Sequence, residues 1–220
     1  MEELLRSDLQ VRFVLSSGQQ LPMVPETLVR QVPQAVMDEL GTLETGNSVI
    51  AVVDIPRTDQ HLTFQGKGLV LALDQVRDPG NLGTILRTAD WFGVSQVWCL
   101  PGTVDPYNPK VVQSSMGSIF RVSLAEVDLD SGMQSALTQG ATVYVAQADG
   151  ANVFEVELQR PALLVLGNES QGPSERWTEF GASPLGIPGV GRAESLNVSM
   201  AATALCMEFH RQSLTIGQGT

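Results

Sequence analysis

The chain has 220 residues, 43% of them hydrophobic and 17% charged, enough for one compact α/β domain plus a smaller one and too apolar for a disordered tail. Its 21 glycines and 12 prolines are spread along the chain, which excludes collagen-like and low-complexity classes. With 13 Lys and Arg against 24 Asp and Glu the formal charge is −11. On its face that argues against nucleic acid as a partner, because phosphate neutralisation drives such binding.

Residues 11–15 read as a short strand, 29–40 as a short helix interrupted by Pro33, and 48–53 as a buried strand. The polar stretch 54–68, with Pro and Gly, reads as a linker. From Leu69 onward apolar runs at 69–73, 94–100, 141–146, 162–166 and 185–188 alternate with helical patterns. The helices are expected around Leu82, Ile85, Leu86 and Ala89, over 111–119, and over 133–137. The last is marked by Val198, Ala201, Ala202, Leu205, Cys206 and Phe209, which fall on one stripe. Such alternation predicts a parallel sheet covered by helices.

Cys99 and Cys206 are the only cysteines, and each lies in an apolar run without a second Cys or a His at ligand spacing. Buried thiols in a reducing compartment are therefore expected, with no metal site. His61 and His210 are equally isolated. Residues 1–6 are acidic and lack the apolar core of a signal, and no apolar run approaches the ~18 residues of a membrane span. A soluble cytoplasmic protein with no membrane partner is expected.

Ligands of open α/β sheets bind outside the carboxyl ends of the strands, and three loops there are unusual. In 74–90 (DQVRDPGNLGTILRTAD), Pro79 and Asn81 suit a helix start. Gly83 sits in the first turn, where glycine costs up to ~1 kcal/mol relative to alanine, and so signals either a close approach or mere tolerance. Arg87 lies about 200° round the helix from Ile85 and points away from the core stripe; taken alone it is as well read as a solvated arginine. In 165–174 (VLGNESQGPS) two glycines flank a carboxylate. That spacing fails the G-x-S-x-G nucleophile elbow, and no Lys is present for a phosphate-binding loop; a plain tight turn also fits. In 185–199 (LGIPGVGRAESLNVS) the glycines approach a dinucleotide fingerprint but lack the third, while Ser195 and Asn197 stand where helix caps belong.

Together, in this order, these segments resemble the three motifs of the SpoU (TrmH) family of RNA methyltransferases in the SPOUT superfamily. Asn81-Leu82-Gly83 with Arg87-Thr88-Ala89 and Phe92-Gly93 resembles the first motif, and Leu166-Gly167-Asn168-Glu169 with Gly172 the second. Ile187-Pro188 through Glu194-Ser195-Leu196-Asn197-Val198-Ser199 with Ala201-Ala202 resembles the third. The resemblance covers 69–212. Residues 1–66 look like the later part of a small RNA-binding domain carried by many members, without its usual first helix and strand, which implies a shortened N-terminal domain followed by a methyltransferase domain over 67–220.

The resemblance implies a trefoil-knotted α/β fold, a homodimer, S-adenosylmethionine as methyl donor, and 2′-O-methylation of a ribose in tRNA or rRNA. Ala146, Gly167, Asn168, Ile187 and Leu196 then fall at donor-binding positions. Arg87 falls at the position proposed in the family to accept or relay the hydroxyl proton. Because a guanidinium stays protonated in proteins, holding the substrate phosphate and stabilising a developing alkoxide suits it better. Asn81 would orient Arg87 or the ribose, Glu169 would accept hydrogen bonds that anchor the pocket, and Ser195 and Asn197 would position the ribose and the donor carboxylate. One departure is Gly189, where the third motif usually has Met after Ile-Pro; a looser loop and weaker donor affinity are expected.

Two other readings remain open at this point. One is a family member that binds RNA without turnover, and the other a dinucleotide-dependent enzyme. The acidic balance does not decide among them. Residues 1–66 carry 4 basic and 9 acidic side chains and residues 67–220 carry 9 and 15, but binding needs only a local positive cleft. Arg77, Arg87, Lys110, Arg121 and Arg192 lie in or near the three loops.

Overall fold

The computed structural model describes residues 2–41, 47–55, 64–65 and 68–216. Contacts divide the chain into two compact units, Met1–Arg57 and Thr58–Thr220. The first holds α1 (Glu2–Leu5), β1 (Val11–Ser16), β2 (Val29–Gln31), α2 (Gln34–Leu40) and β3 (Val49–Val53). Its sheet runs β2-β1-β3, with β1 parallel to β2 and antiparallel to β3. Leu4, Val14, Val24 and Met37 form its small core. The helix expected over 29–40 is in fact a strand followed by a helix. Val29 pairs with Val14, and α2 starts only after Pro33, because a proline biases the residue before it toward extended backbone.

The second unit is built on a fully parallel sheet of six strands in the order β6-β5-β4-β8-β7-β9. The strands are β4 (Leu69–Asp74), β5 (Gln96–Cys99), β6 (Leu124–Glu126), β7 (Thr142–Asn152), β8 (Ala162–Gly167) and β9 (Ser183–Gly186). Between them lie α3 (Pro79–Phe92), α4 (Pro109–Ser114), α5 (Leu129–Thr138) and α6 (Arg176–Glu179), and α7 (Val198–Ile216) ends the described chain. Central β4 and β8 are buried at every position, as continuous apolar runs in a sheet covered on both faces should be. Alternate residues serve the two cores. Leu71, Leu73, Leu164 and Leu166 pack toward α3 and α7, while Val70, Ala72, Leu163 and Val165 pack toward α5 and Trp177 of α6.

The alternation of strands and helices is the one expected, with differences that have local causes. Strand β6 and helix α6, of 3 and 4 residues, are too short to show a period. The helix expected over 111–119 stops at Ser114, because Met116 and Gly117 take left-handed backbone, φ 50° and 89°. The stretch read as linker falls largely outside the described residues. Its Phe64, however, is buried edge-on against Trp98 and donates its N–H to Ser135 Oγ at 2.8 Å. The thiols of Cys99 and Cys206 are buried and pushed up to about 12, chiefly by that burial, so both are inert at neutral pH.

The last strand is gripped from both sides of a bight in β7. Leu185 pairs with Ala146 and again with Ala151, and the Val153 N–H donates to Gly186 O at 2.9 Å. The chains pass so closely that a Cβ on Gly150 would stand 2.6 Å from the Leu185 backbone, and one on Gly186 2.7 Å from Gly150 O. The chain leaving the bight is tied to α7, where Gln212 donates to Val156 O at 3.0 Å and accepts from the Leu158 N–H at 2.9 Å.

Gln212 is itself oriented by Glu208, 2% exposed, which accepts from it at 2.8 Å and from Arg211 at 2.6 Å. The Arg211 hydrogen bond, aided by Gln212, holds the Glu208 carboxyl below its ordinary 4.5 against the opposing effect of burial. A depressed folded-state value stabilises the fold above 4.5 and loses that stabilisation as pH falls through the lower value. Thermal unfolding of wild type and Glu208→Gln between about pH 7 and pH 3 should show a Tm gap that is widest at neutral pH and closes on the acid side. A gap independent of pH would contradict the assignment.

Candidate active site at the switch point of the sheet

Strand order reverses between β4 and β8. The chain leaves β4 toward β5 and β6, whereas β8 has β7 and β9 on its far side. At such a switch point the loops diverge and leave a crevice above the carboxyl ends of the two strands. Helix α3 starts on one side of it, with the Asp78 carboxylate capping the Asn81 N–H at 2.9 Å and Pro79 in the first turn. Gly83 is explained by packing, not by a ligand, since Ser114 of α4 occupies the space a Cβ would take.

The three motif loops meet through one side chain. Asn81 Nδ2 donates to Glu169 Oε1 at 2.7 Å, and Asn197 Nδ2 donates to Asn81 Oδ1 at 3.0 Å. One amide thus uses its donor on the second loop and its acceptor on the third. Asn197 also caps α7, its Oδ1 accepting from the Ser199 N–H at 2.9 Å and Ser199 Oγ at 2.7 Å. The cap expected from sequence is thus present, and the same side chain joins the third loop to the first.

The loop after β8 folds tightly over its own strand, and Pro173 and Gly172 fill the space that a Cβ on Gly167 would need. Asn168 organises it. Its Oδ1 accepts from the Ser170 N–H and Oγ and from the Gln171 N–H, its backbone O accepts from the Gly172 N–H, and its Nδ2 donates to Gln75 O at 3.0 Å. Gln75 takes left-handed backbone, φ 60°, a strained position for a residue other than glycine. Neither Asp78 nor Gln75 stood out in the sequence, because a cap and a carbonyl acceptor carry no side-chain signature of chemistry.

Arg87 is exposed on α3, as its spacing predicts, with no ion pair or hydrogen bond among the described residues. Asn81 makes no hydrogen bond to Arg87 among the described residues; its amide is engaged by Glu169 and Asn197 instead. Of the other cations expected near the loops, Arg121 is neutralised by Asp90 at 2.6 Å and Arg77 donates to Gln75 Oε1 at 2.7 Å. The Asp90 carboxyl is held low, mainly by the Arg121 hydrogen bond. Arg87, Lys110 and Arg192 stay exposed.

The third loop stands in solvent. Ser195 is exposed without a partner among the described residues, and Leu196 is 54% exposed. Ile187 is partly buried against the core, as is Ala146 at the bight. A Cβ on Gly189 would meet nothing within 4 Å, so its departure from the motif is not imposed by packing. Apolar side chains beside backbone and amide groups suit a nucleoside with an amino-acid tail better than a metal. Among the described residues no His, Cys, Asp and Glu cluster could hold a metal ion, and no helix is long and apolar enough to cross a membrane.

Residues 68–207 match the profile of the SpoU rRNA Methylase family. The chain belongs to this family. The Bacillus subtilis 23S rRNA (guanosine(2553)-2'-O)-methyltransferase RlmP is 33% identical over 205 residues, covering 93% of this chain and 78% of that relative. The 23S rRNA (uridine(2479)-2'-O)-methyltransferase of Streptomyces viridochromogenes is 31% identical over 206 residues, covering 90% and 69%. The SpoU methyltransferase AviRb from the same organism, crystallised with AdoMet, superposes with a TM-score of 0.85 at 26% identity, covering 97% of this chain and 87% of that one. The six-stranded sheet with its small N-terminal sheet is the SpoU-family architecture, and the match spans all three motif loops.

Asn197 offers a way to separate its two roles. Asn197→Ala should cost about 1 kcal/mol through the lost cap, roughly 2–4 °C in Tm, whereas Asn197→Asp keeps the cap and sets a charged acceptor in place of the donor to Asn81. Equal Tm losses in thermal denaturation of the two variants would refute the division.

Proposed function

We propose that the protein transfers a methyl group from S-adenosylmethionine to a ribose 2′-hydroxyl of rRNA or tRNA. The carrying observation is the Asn197–Asn81–Glu169 chain at the switch point, beside a helix that exposes Arg87 with no partner among the described residues. Ala146, Gly167, Asn168, Ile187 and Leu196 would hold the donor, with Ile187 and Leu196 offering apolar contact to its nucleoside. When bound, it supplies an electrophilic methyl on a sulfonium whose charge disappears in the displacement.

The residues of this chain then act on the RNA. Arg87 holds a substrate phosphate and stabilises the developing alkoxide by charge-assisted hydrogen bonds, while the proton departs to water or phosphate. Ser195 positions the ribose hydroxyl. Asn81 and Glu169 keep the loops in register, so that alignment, which is most of what a single displacement needs, is built before substrate arrives. A cytoplasmic setting, where rRNA and tRNA are made available, suits this activity. The first unit, with Arg30 stacked 4.2 Å over the Phe13 ring, is assigned to RNA contact.

A second copy of the chain is the proposed partner of the α3/α7 face. Met200, Met207 and Leu214, at seven-residue spacing along α7, and Trp91 of α3 are exposed by 53% to 83%. The two helices are joined by the Thr88–Thr203 hydrogen bond at 2.9 Å and by the Phe92–His210 ring contact. Large apolar side chains exposed on two joined helices are the kind of surface that an interface covers.

Arg87→Ala should abolish methyl transfer from labelled donor to RNA while calorimetry shows donor affinity within about twofold of wild type, because the residue serves the alkoxide and not the donor. Retained turnover would remove the mechanism, and absence of donor heat with the wild type would remove the enzyme reading in favour of an RNA binder without turnover. Met207→Glu should convert a dimer to a monomer in light scattering; a wild type that is already monomeric contradicts the partner assignment.

A further inference from the structure

One buried carboxylate takes no part in the chemistry above. Asp74 closes the apolar strand β4 and is only 6% exposed. No lysine or arginine pairs with it among the described residues. Its Oδ2 instead accepts from the Trp177 indole N–H at 2.7 Å and from the Ser174 backbone N–H at 2.8 Å. Trp177 is 1% exposed, packed in the core beside Trp98 and Met133.

A carboxylate removed from water with no cation is costly unless N–H donors replace its hydration. Two donors converging on one oxygen make that substitution and fix direction as well. What they fix is the loop of the second motif. Asn168, at its start, is tied to Gln75 O, and Ser174, at its end, is tied to Asp74. Both ends of the loop are thus pinned to consecutive residues at the tip of β4. The strand itself already pairs Asp74 with Gly167 in register. Trp177 adds a rigid lever, since its ring is set by the core on the opposite face of the sheet from α3 and α7.

We propose that Asp74 is the positioning residue of the donor-binding loop, holding residues 168–174 in donor-competent form through Ser174 and Trp177. The inference rests on the methyltransferase reading of the same site. Asp74 touches neither donor nor RNA in this account; it acts through the loop backbone. Its removal therefore loosens the donor before it slows the chemistry, whereas a general loss of folding would lower every parameter together.

The test compares Asp74→Asn and Trp177→Phe with wild type, measuring S-adenosylmethionine Kd by calorimetry, KM for RNA, kcat at saturating donor, and Tm with and without donor. The expected result is a donor Kd raised about tenfold in each variant, with RNA KM and kcat at saturation within about twofold. The double variant should be little worse than either single one, since both changes act on the same oxygen. Should Asp74→Asn fail to fold, Trp177→Phe, which deletes the indole N–H together with part of the buried ring, decides the matter through donor Kd measured well below its Tm. Arg176→Ala serves as control, because Arg176 shares the short helix α6 with Trp177 but pairs only with the exposed Asp130 of α5, at 2.6 Å, and its loss should leave donor affinity unchanged. Unaltered donor Kd in Trp177→Phe, or equal losses in donor Kd, RNA KM and kcat, overturns the proposal. Failure of the wild type to bind donor at all overturns instead the functional reading beneath it.

Discussion

The parallel pairing of β4 with β8, in register from Leu69↔Ala162 to Asp74↔Gly167, places two strand tips side by side at the one point where the chain turns away in opposite directions. Each tip is followed by a loop that cannot reach its own neighbour's partners, so polar groups gather above the sheet with no ladder to satisfy them. Side-chain amides take that role. Asn81, Asn168 and Asn197 each use both a donor and an acceptor, and between them they join segments more than 80 residues apart in sequence. A carboxamide is suited to this because it presents both functions without a net charge that would need its own counterion.

The electrostatic character of the molecule follows from the same economy. Its −11 charge is distributed over the surface. Arg121 and Arg211 are committed to Asp90 and Glu208, and Arg176 to Asp130. What remains uncommitted near the crevice is a small set of exposed cations, Arg87 foremost. A site of this kind attracts phosphate locally against an unfavourable overall field, and salt weakens that attraction sharply.

Much of this was legible in the residues. Buried strands announced themselves as continuous apolar runs at 69–73 and 162–166, and the α3 and α7 stripes placed Arg87 outward and Cys206 inward, as found. The loops that meet at the crevice were singled out by glycines and polar residues in a pattern shared with a family. Three things were not legible. Helix 29–40 hid a strand because Val29 finds its partner in Val14, a tertiary pairing with no local period. Gly83 left a close approach and mere tolerance equally open, and only the packing of the neighbouring helix α4 decides for the first. Asp74, the charge that ends the apolar run 69–73, shows nothing of its role locally, because its partners Ser174 and Trp177 lie 100 and 103 residues away.

The grip of the β7 bight on Leu185 and Gly186 bears on the order in which the protein becomes competent. Asn197 lies beyond that grip, so the link to Asn81 cannot close until the chain past residue 186 has been delivered through or around residues 146–153. A nascent chain that has built its whole sheet except β9 has the first two loops in place and no third. The site is therefore complete only once residues 187–197 have followed β9 into place, and a truncation before Asn197 keeps the link between Asn81 and Glu169 but leaves no third loop to join it.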